Sequence, residues 1–186
     1  ALISKLDTRK QFDSVKLLVL KGDVEQAKGN VPKAFSFYAK AIDLDESSVI
    51  AFMSLYGLAR HPDYIDAFVA VAKRIVTTFP ERPFYRSKLA DHLMWAGLWP
   101  DAKHHYQILL TQNLPKQEMA LALNNLAVIN IKENNFSQAV QMSEQALKLM
   151  PSVPAFLDTA GWALTKSGNA QLGLYHLVVH ADLTVL

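Results

Sequence analysis

The 186 residues contain no cysteine, which removes disulfides and thiolate metal sites from consideration without fixing the compartment. Charge of either sign is scarce. Nineteen Lys and Arg against 17 Asp and Glu leave a net charge of +2, and no basic stripe with interleaved aromatics appears, so a nucleic-acid partner is not expected. No apolar run approaches the ~18 residues of a membrane span, so direct membrane insertion is not expected either. The sequence opens without a basic-then-apolar leader, although its first residue is Ala1 rather than Met, which is compatible with a leader that has been removed. Nucleophile elbows, phosphate loops and dinucleotide fingerprints are all missing. Of the six histidines, His176 and His180 share a helical face but have only Asp182 in register. His104 and His105 are adjacent and point apart, and His61 and His92 are isolated. No metal, cofactor or catalytic turnover is expected.

What the chain does contain is hydrophobic content of 51%, enough for a sizeable core, and a repeat. In "NNFSQAVQMSEQALKLMP", Ala139 and Ala146 follow Asn134 by five and twelve residues, as Ala34 and Ala41 follow Gly29. Gly29 to Gly97, Ala34 to Ala102 and Tyr38 to Tyr106 are each 68 residues, twice 34, and Leu123 to Leu157 and Asn134 to Gly168 are each 34. A fixed interval of this length marks a stacked array of small units. Aligning the small residues gives units 15–48, 49–82, 83–116, 120–153 and 154–186, with residues 1–14 read as the end of a preceding helix.

Each unit reads as two helices. In the fourth, Leu123, Leu126, Ala127 and Ile131 form one helical face, "KENN" supplies the turn, and Ala139, Val140, Ser143, Ala146 and Leu147 form the facing helix. Small side chains let the two backbones approach, and Pro151, lacking an amide hydrogen, stops the second helix. In unit two Ala67 is expected in the small-residue place, while Leu55, Tyr56 and Gly57 admit more than one register for the first helix. Trp99 is read as a structural plug beside the turn.

These units resemble the tetratricopeptide repeat, a 34-residue helix-turn-helix. The resemblance implies an all-α, right-handed superhelix of about five hairpins that binds another protein as a scaffold. The pair "LNNLAVINIKENN" and "FLDTAGWALTKSGN" further resembles segments of bacterial tetratricopeptide proteins of envelope and exopolysaccharide systems, including lipoproteins associated with the PEP-CTERM sorting machinery. That implies a periplasmic or envelope-anchored protein, with the cytoplasm as the alternative.

The family's concave face is built from the first helices, and the resemblance places there Tyr56 in unit two, Phe84, Asp91 and Trp95 in unit three, Asn124, Asn125 and Val128 in unit four, and Asp158 and Trp162 in unit five. Aromatics in a rigid groove can anchor an extended or helical segment, and Asn125 can donate to and accept from a peptide backbone. The alternative is a structural, self-associating spacer of a larger envelope protein with no peptide ligand. In the last unit Leu172, Leu174, Leu177, Val178, Val179 and Leu183 cannot all face one partner helix, so this face is expected to be covered either by residues outside this sequence or by the same surface of a second copy, a homodimer through this C-terminal helix.

Overall fold

The structure, a computed structural model, describes residues 2–175, with side chains from residue 10 onward. The expectations for His176, His180, Asp182, Leu177, Val178, Val179 and Leu183, and with them the C-terminal homodimer surface, lie outside the described residues. Among those described, all regular structure is helical: α1 (Leu2–Ala27), α2 (Val31–Leu44), α3 (Val49–Leu58), α4 (Ile65–Thr78), α5 (Pro83–Trp95), α6 (Trp99–Leu110), α7 (Lys116–Lys132), α8 (Phe136–Leu149) and α9 (Pro154–Lys166). Residues 170–175 are helical as well and follow α9 across a tight turn. The helices α1 to α4 belong to one compact unit ending at Pro80, and α5 onward to a second beginning at Glu81. Helix α1 runs unbroken from Leu2. Residues 2–14 are therefore an extension of the first repeat's own helix, not the end of a separate one.

The turns explain the spacing of Gly29, Gly97, Asn134 and Gly168. All four have positive φ, between 60° and 97°, where a side chain other than glycine or asparagine is strained. Each turn closes alike: the amide after the left-handed residue reaches back to the helix, as in Asn30 N to Glu25 O at 2.8 Å and Asn135 N to Asn130 O at 2.8 Å. This satisfies the last carbonyls of the first helix and reverses the chain. Prolines in the first turn of α2, α5, α6 and α9 then preset the next helix.

Within the hairpins, Ala34, Ala102 and Ala139 are fully buried, so the two backbones approach at these points. Replacing Ala139 by leucine is expected to destabilise the protein by about 1–3 kcal/mol, and the same change at exposed Gln141 by no more than about 0.5 kcal/mol, read from urea unfolding. Equal effects at the two positions would refute this hairpin register. Gly173 occupies the same place beside α9. A Cβ there would lie 2.7 Å from the Gly161 carbonyl oxygen and 2.9 Å from the Thr165 amide nitrogen; at this point even alanine is too large.

Repeat two departs from the expectation. Ala67 is exposed, and the buried positions of α4 are Phe68, Ala72, Ile75 and Val76, each 34 residues after Ala34, Tyr38, Ala41 and Ile42 of α2. Phe68 thus takes the small residue's place and Ala72 the tyrosine's, an exchange that roughly conserves core volume. Its turn differs too. Pro62 falls where a helix would otherwise continue, so α3 ends at Leu58 and a 3-10 turn over Pro62–Tyr64 leads into α4.

Neighbouring repeats are tied by side chains across the seams. Arg74 of α4 meets Asp43 at 2.9 Å and Glu46 at 2.8 Å. Lys103 of α6 pairs with Glu133 at the end of α7 and lies 3.4 Å from the buried Asn130 Oδ1. Phe156 of α9 seats in a cluster with Ala120, Leu123 and Ala146, ringed by Leu147, Leu149 and Met150.

Candidate partner-binding cleft

Between α5 and α7 lies a cleft of about 420 Å³. Phe84, Ser87, Lys88 and Asp91 line it from α5, and Glu118, Leu121, Ala122 and Asn125 from α7, with Tyr106 of α6 reaching its floor. The spacing follows from helix geometry: 84, 87, 88 and 91, like 118, 121, 122 and 125, recur at three and four residues and so share one face.

A polar triad fixes the floor. The buried Tyr106 hydroxyl donates to Asp91 Oδ1 at 2.7 Å and accepts from Asn125 Nδ2 at 2.8 Å, while Nδ2 also lies 3.5 Å from Asp91 Oδ1. Because a carboxylate only accepts and the tyrosine proton is committed to it, the Asn125 amide nitrogen must face inward and its Oδ1 is left to the cleft. Lys88 flanks Asp91 Oδ2 at 3.3 Å. Three helices are therefore joined through one hydroxyl.

The first repeat carries a version without the cross-repeat link. Tyr38 donates to Asp23 at 2.7 Å and lies 2.9 Å from Gln26 Oε1, both on α1. Burial, with the Asp23 contact adding to it, holds the Tyr38 hydroxyl above the usual phenol range. Ser54 stands where the later repeat has Asn125, and Met94, whose Sδ is 3.9 Å from the Tyr106 hydroxyl, stands where the first has Gln26.

Of the residues named from sequence, the cleft brings together Phe84, Asp91 and Asn125. The others fall elsewhere. Trp95 and Trp162 are about half exposed, at 52% and 49%, Trp95 with its ring 5.6 Å from His92 and Trp162 beneath the Lys166 ammonium at 4.9 Å. Val128 is half-buried and Asp158 exposed. Asn124 corrects the expectation of an open groove residue: it is buried, and its Oδ1 has no hydrogen-bond partner among the described residues. Tyr56 belongs to the compact unit that ends at Pro80 and meets the edge of Phe68 at 5.7 Å. It occupies the place held by Gly22, Ala90, Ala127 and Gly161 in the other repeats and packs inside its hairpin. Sequence reasoning missed Tyr106, Lys88 and Glu118, although Tyr106 could have been found from its 68-residue distance to Tyr38 with Asp91 equally spaced from Asp23.

Among the described residues the histidines do not converge. His105 Nδ1 lies 3.3 Å from the Arg86 guanidinium, which burial holds below its usual pKa, and His104 is exposed. Among the described residues no group of three or more metal-ligating side chains gathers, and no described helix is long and apolar enough to cross a membrane.

Residues 120–152, spanning α7 and α8, match the tetratricopeptide repeat family. No curated protein matches the sequence. Solved structures do match its fold. PilF of Pseudomonas aeruginosa is 14% identical with a TM-score of 0.73 over 93% of this chain and 78% of its own. MamA from Desulfovibrio magneticus RS-1 is 12% identical, again with a TM-score of 0.73, over 92% of this chain and 96% of its own. A further MamA structure is 15% identical at the same TM-score and covers 92% of both chains. At these identities the likeness establishes the fold, an α-solenoid of tetratricopeptide hairpins, and nothing finer.

Proposed function

We propose that the chain is a non-catalytic scaffold that binds an extended segment of another protein along the face of α5 and α7. The observation that carries this reading is the Tyr106–Asp91–Asn125 triad: it presets two neighbouring first helices around an open, largely apolar cleft, so little ordering cost remains for a ligand. Asn125 Oδ1 offers an acceptor to a peptide amide, Phe84 and Leu121 offer apolar contact, and the exposed indoles of Trp95 and Trp162 extend the set of anchors. The resemblance of residues 123–169 to envelope and exopolysaccharide-system proteins of bacteria carries the same reading to an envelope-associated partner.

Selection of a random-peptide display library on the purified chain tests it. Enriched peptides are expected to lose tenfold or more, about 1.4 kcal/mol, on Asn125→Ala and about 2 kcal/mol on Trp95→Ala, with circular dichroism unchanged. A selection that enriches nothing, or peptides that bind wild type and both variants alike, would overturn the reading. A spacer without a ligand would give the first of these outcomes.

A further inference from the structure

The α5–α7 cleft is chemically one-sided, and this narrows what it can take. Tyr106 has spent its proton on Asp91, and Asn125 has turned both amide hydrogens inward. Beside the Ser87 hydroxyl and the Lys88 ammonium, what faces the cleft is acceptors: Asn125 Oδ1, the Asp91 Oδ2 already shared with Lys88, and the half-buried carboxylate of Glu118. The charged lining is two carboxylates against one ammonium. An incoming acidic group would find acceptors and net negative charge, and an apolar one would leave them unmet. Above them the walls are apolar, with the Phe84 ring on one helix and Leu121 on the other.

We infer that this cleft receives an arginine side chain of the bound segment, its guanidinium on Glu118, Asn125 and Asp91 and its stem between Phe84 and Leu121. Arginine suits the site better than lysine on two counts. Its planar group presents several donors in fixed directions to acceptors on both helices, and it can lie flat against the Phe84 ring. Lys88 already supplies a point charge to Asp91, so a second ammonium would duplicate it. The inference rests on the peptide-binding reading above and goes further by specifying the residue bound.

The test needs no partner. N-acetyl-arginine methylamide is titrated into the ¹⁵N-labelled chain, with the lysine, norleucine and glutamate analogues alongside. Saturable shifts are expected at the Asn125 side-chain amide and the neighbouring α5 and α7 backbone, strongest for arginine and absent for glutamate. Glu118→Gln should weaken arginine binding about fivefold or more. The substitution keeps the size and shape of the side chain, and Phe84→Leu gives a second, independent variant expected to weaken it as well, with circular dichroism checking the fold of both. Equal shifts from norleucine and arginine, shifts scattered away from the cleft, or a Glu118→Gln variant that binds as wild type would each overturn the inference. The two proposals fail separately. Displayed peptides that bind without an arginine sink this one and leave the scaffold reading intact, whereas a specific arginine titration with no enriched peptide does the reverse.

Discussion

Gly22→Val is expected to destabilise the protein by about 3 kcal/mol, through overpacking rather than loss of any contact. A Cβ at Gly22 would lie 2.6 Å from Tyr38 Cδ1 and 2.9 Å from its Cζ. The ring cannot give way. It is fully buried, and its hydroxyl is fastened to Asp23 and Gln26 at the far end, so moving it would also strand a buried donor. Urea unfolding followed by circular dichroism measures the effect. A companion Gly22→Val/Tyr38→Ala variant should recover part of the loss, because the added methyls then have the ring's space. A single variant within about 0.5 kcal/mol of wild type would mean that α1 does not approach α2 as closely as described.

Phe68→Ala should cost about 3–5 kcal/mol, the largest loss for any single truncation in the α3–α4 hairpin. Phe68 is fully buried between Phe52, whose ring centroid is 5.5 Å away, and the edge of Tyr56 at 5.7 Å. The other repeats reach the same core volume by a different distribution: a small residue at this place, tyrosine four residues later in two of them, and glycine or alanine facing it from the first helix. A triple variant, Tyr56→Ala with Phe68→Ala and Ala72→Tyr, imposes that distribution on repeat two. It should be more stable than Phe68→Ala alone by at least about 1 kcal/mol, since volume-conserving exchanges are tolerated best. Thermal and urea unfolding of both variants decide the matter. A triple variant no better than the single would show that the backbone of this hairpin has adapted to Phe68 and no longer accepts the pattern of its neighbours.

The same contrast explains what could be read from sequence. Gly29, Gly97 and Gly168 were legible because a left-handed turn restricts residue type at one position, independent of anything distant. Ala34, Ala102 and Ala139 were legible for a similar reason, backbone proximity. Repeat two was not, because Phe68 and Ala72 satisfy the packing only as a pair, and neither matches the pattern when taken singly. Pro62 also removed the turn signal on which the register depended. In the cleft, helical spacing was sufficient to group Phe84 with Asp91 on one face. It could not say that Asn124 would be covered while Asn125 remained half-open, since adjacent residues differ by about 100° around the helix and the boundary between seam and groove falls between them. Tyr106 escaped because a second-helix residue, assigned to the core by its periodicity, sends only its hydroxyl to the first-helix face.

Lys103 and Tyr106 both belong to α6, and both extend to the next repeat, one to Glu133 and Asn130, the other to Asn125. In a linear array, each hairpin's resistance to opening is its intrinsic stability plus the coupling to its nearest neighbours. Two polar bridges from a single helix, one ending at a fully buried asparagine, make that coupling term large between the third and fourth repeats, because opening either hairpin would strip partners from the other. Amide hydrogens of α6 and α7 should then exchange with one common rate and one common denaturant dependence, as a single cooperative block. Between the first two repeats the corresponding bridge is the solvent-exposed Arg74 with Asp43 and Glu46, a linkage that salt screens. Added salt should therefore loosen the cooperativity of α2 with α4 more than that of the α6–α7 block, where the Lys103–Glu133 pair is screened as well but the neutral Tyr106–Asn125 bridge is not.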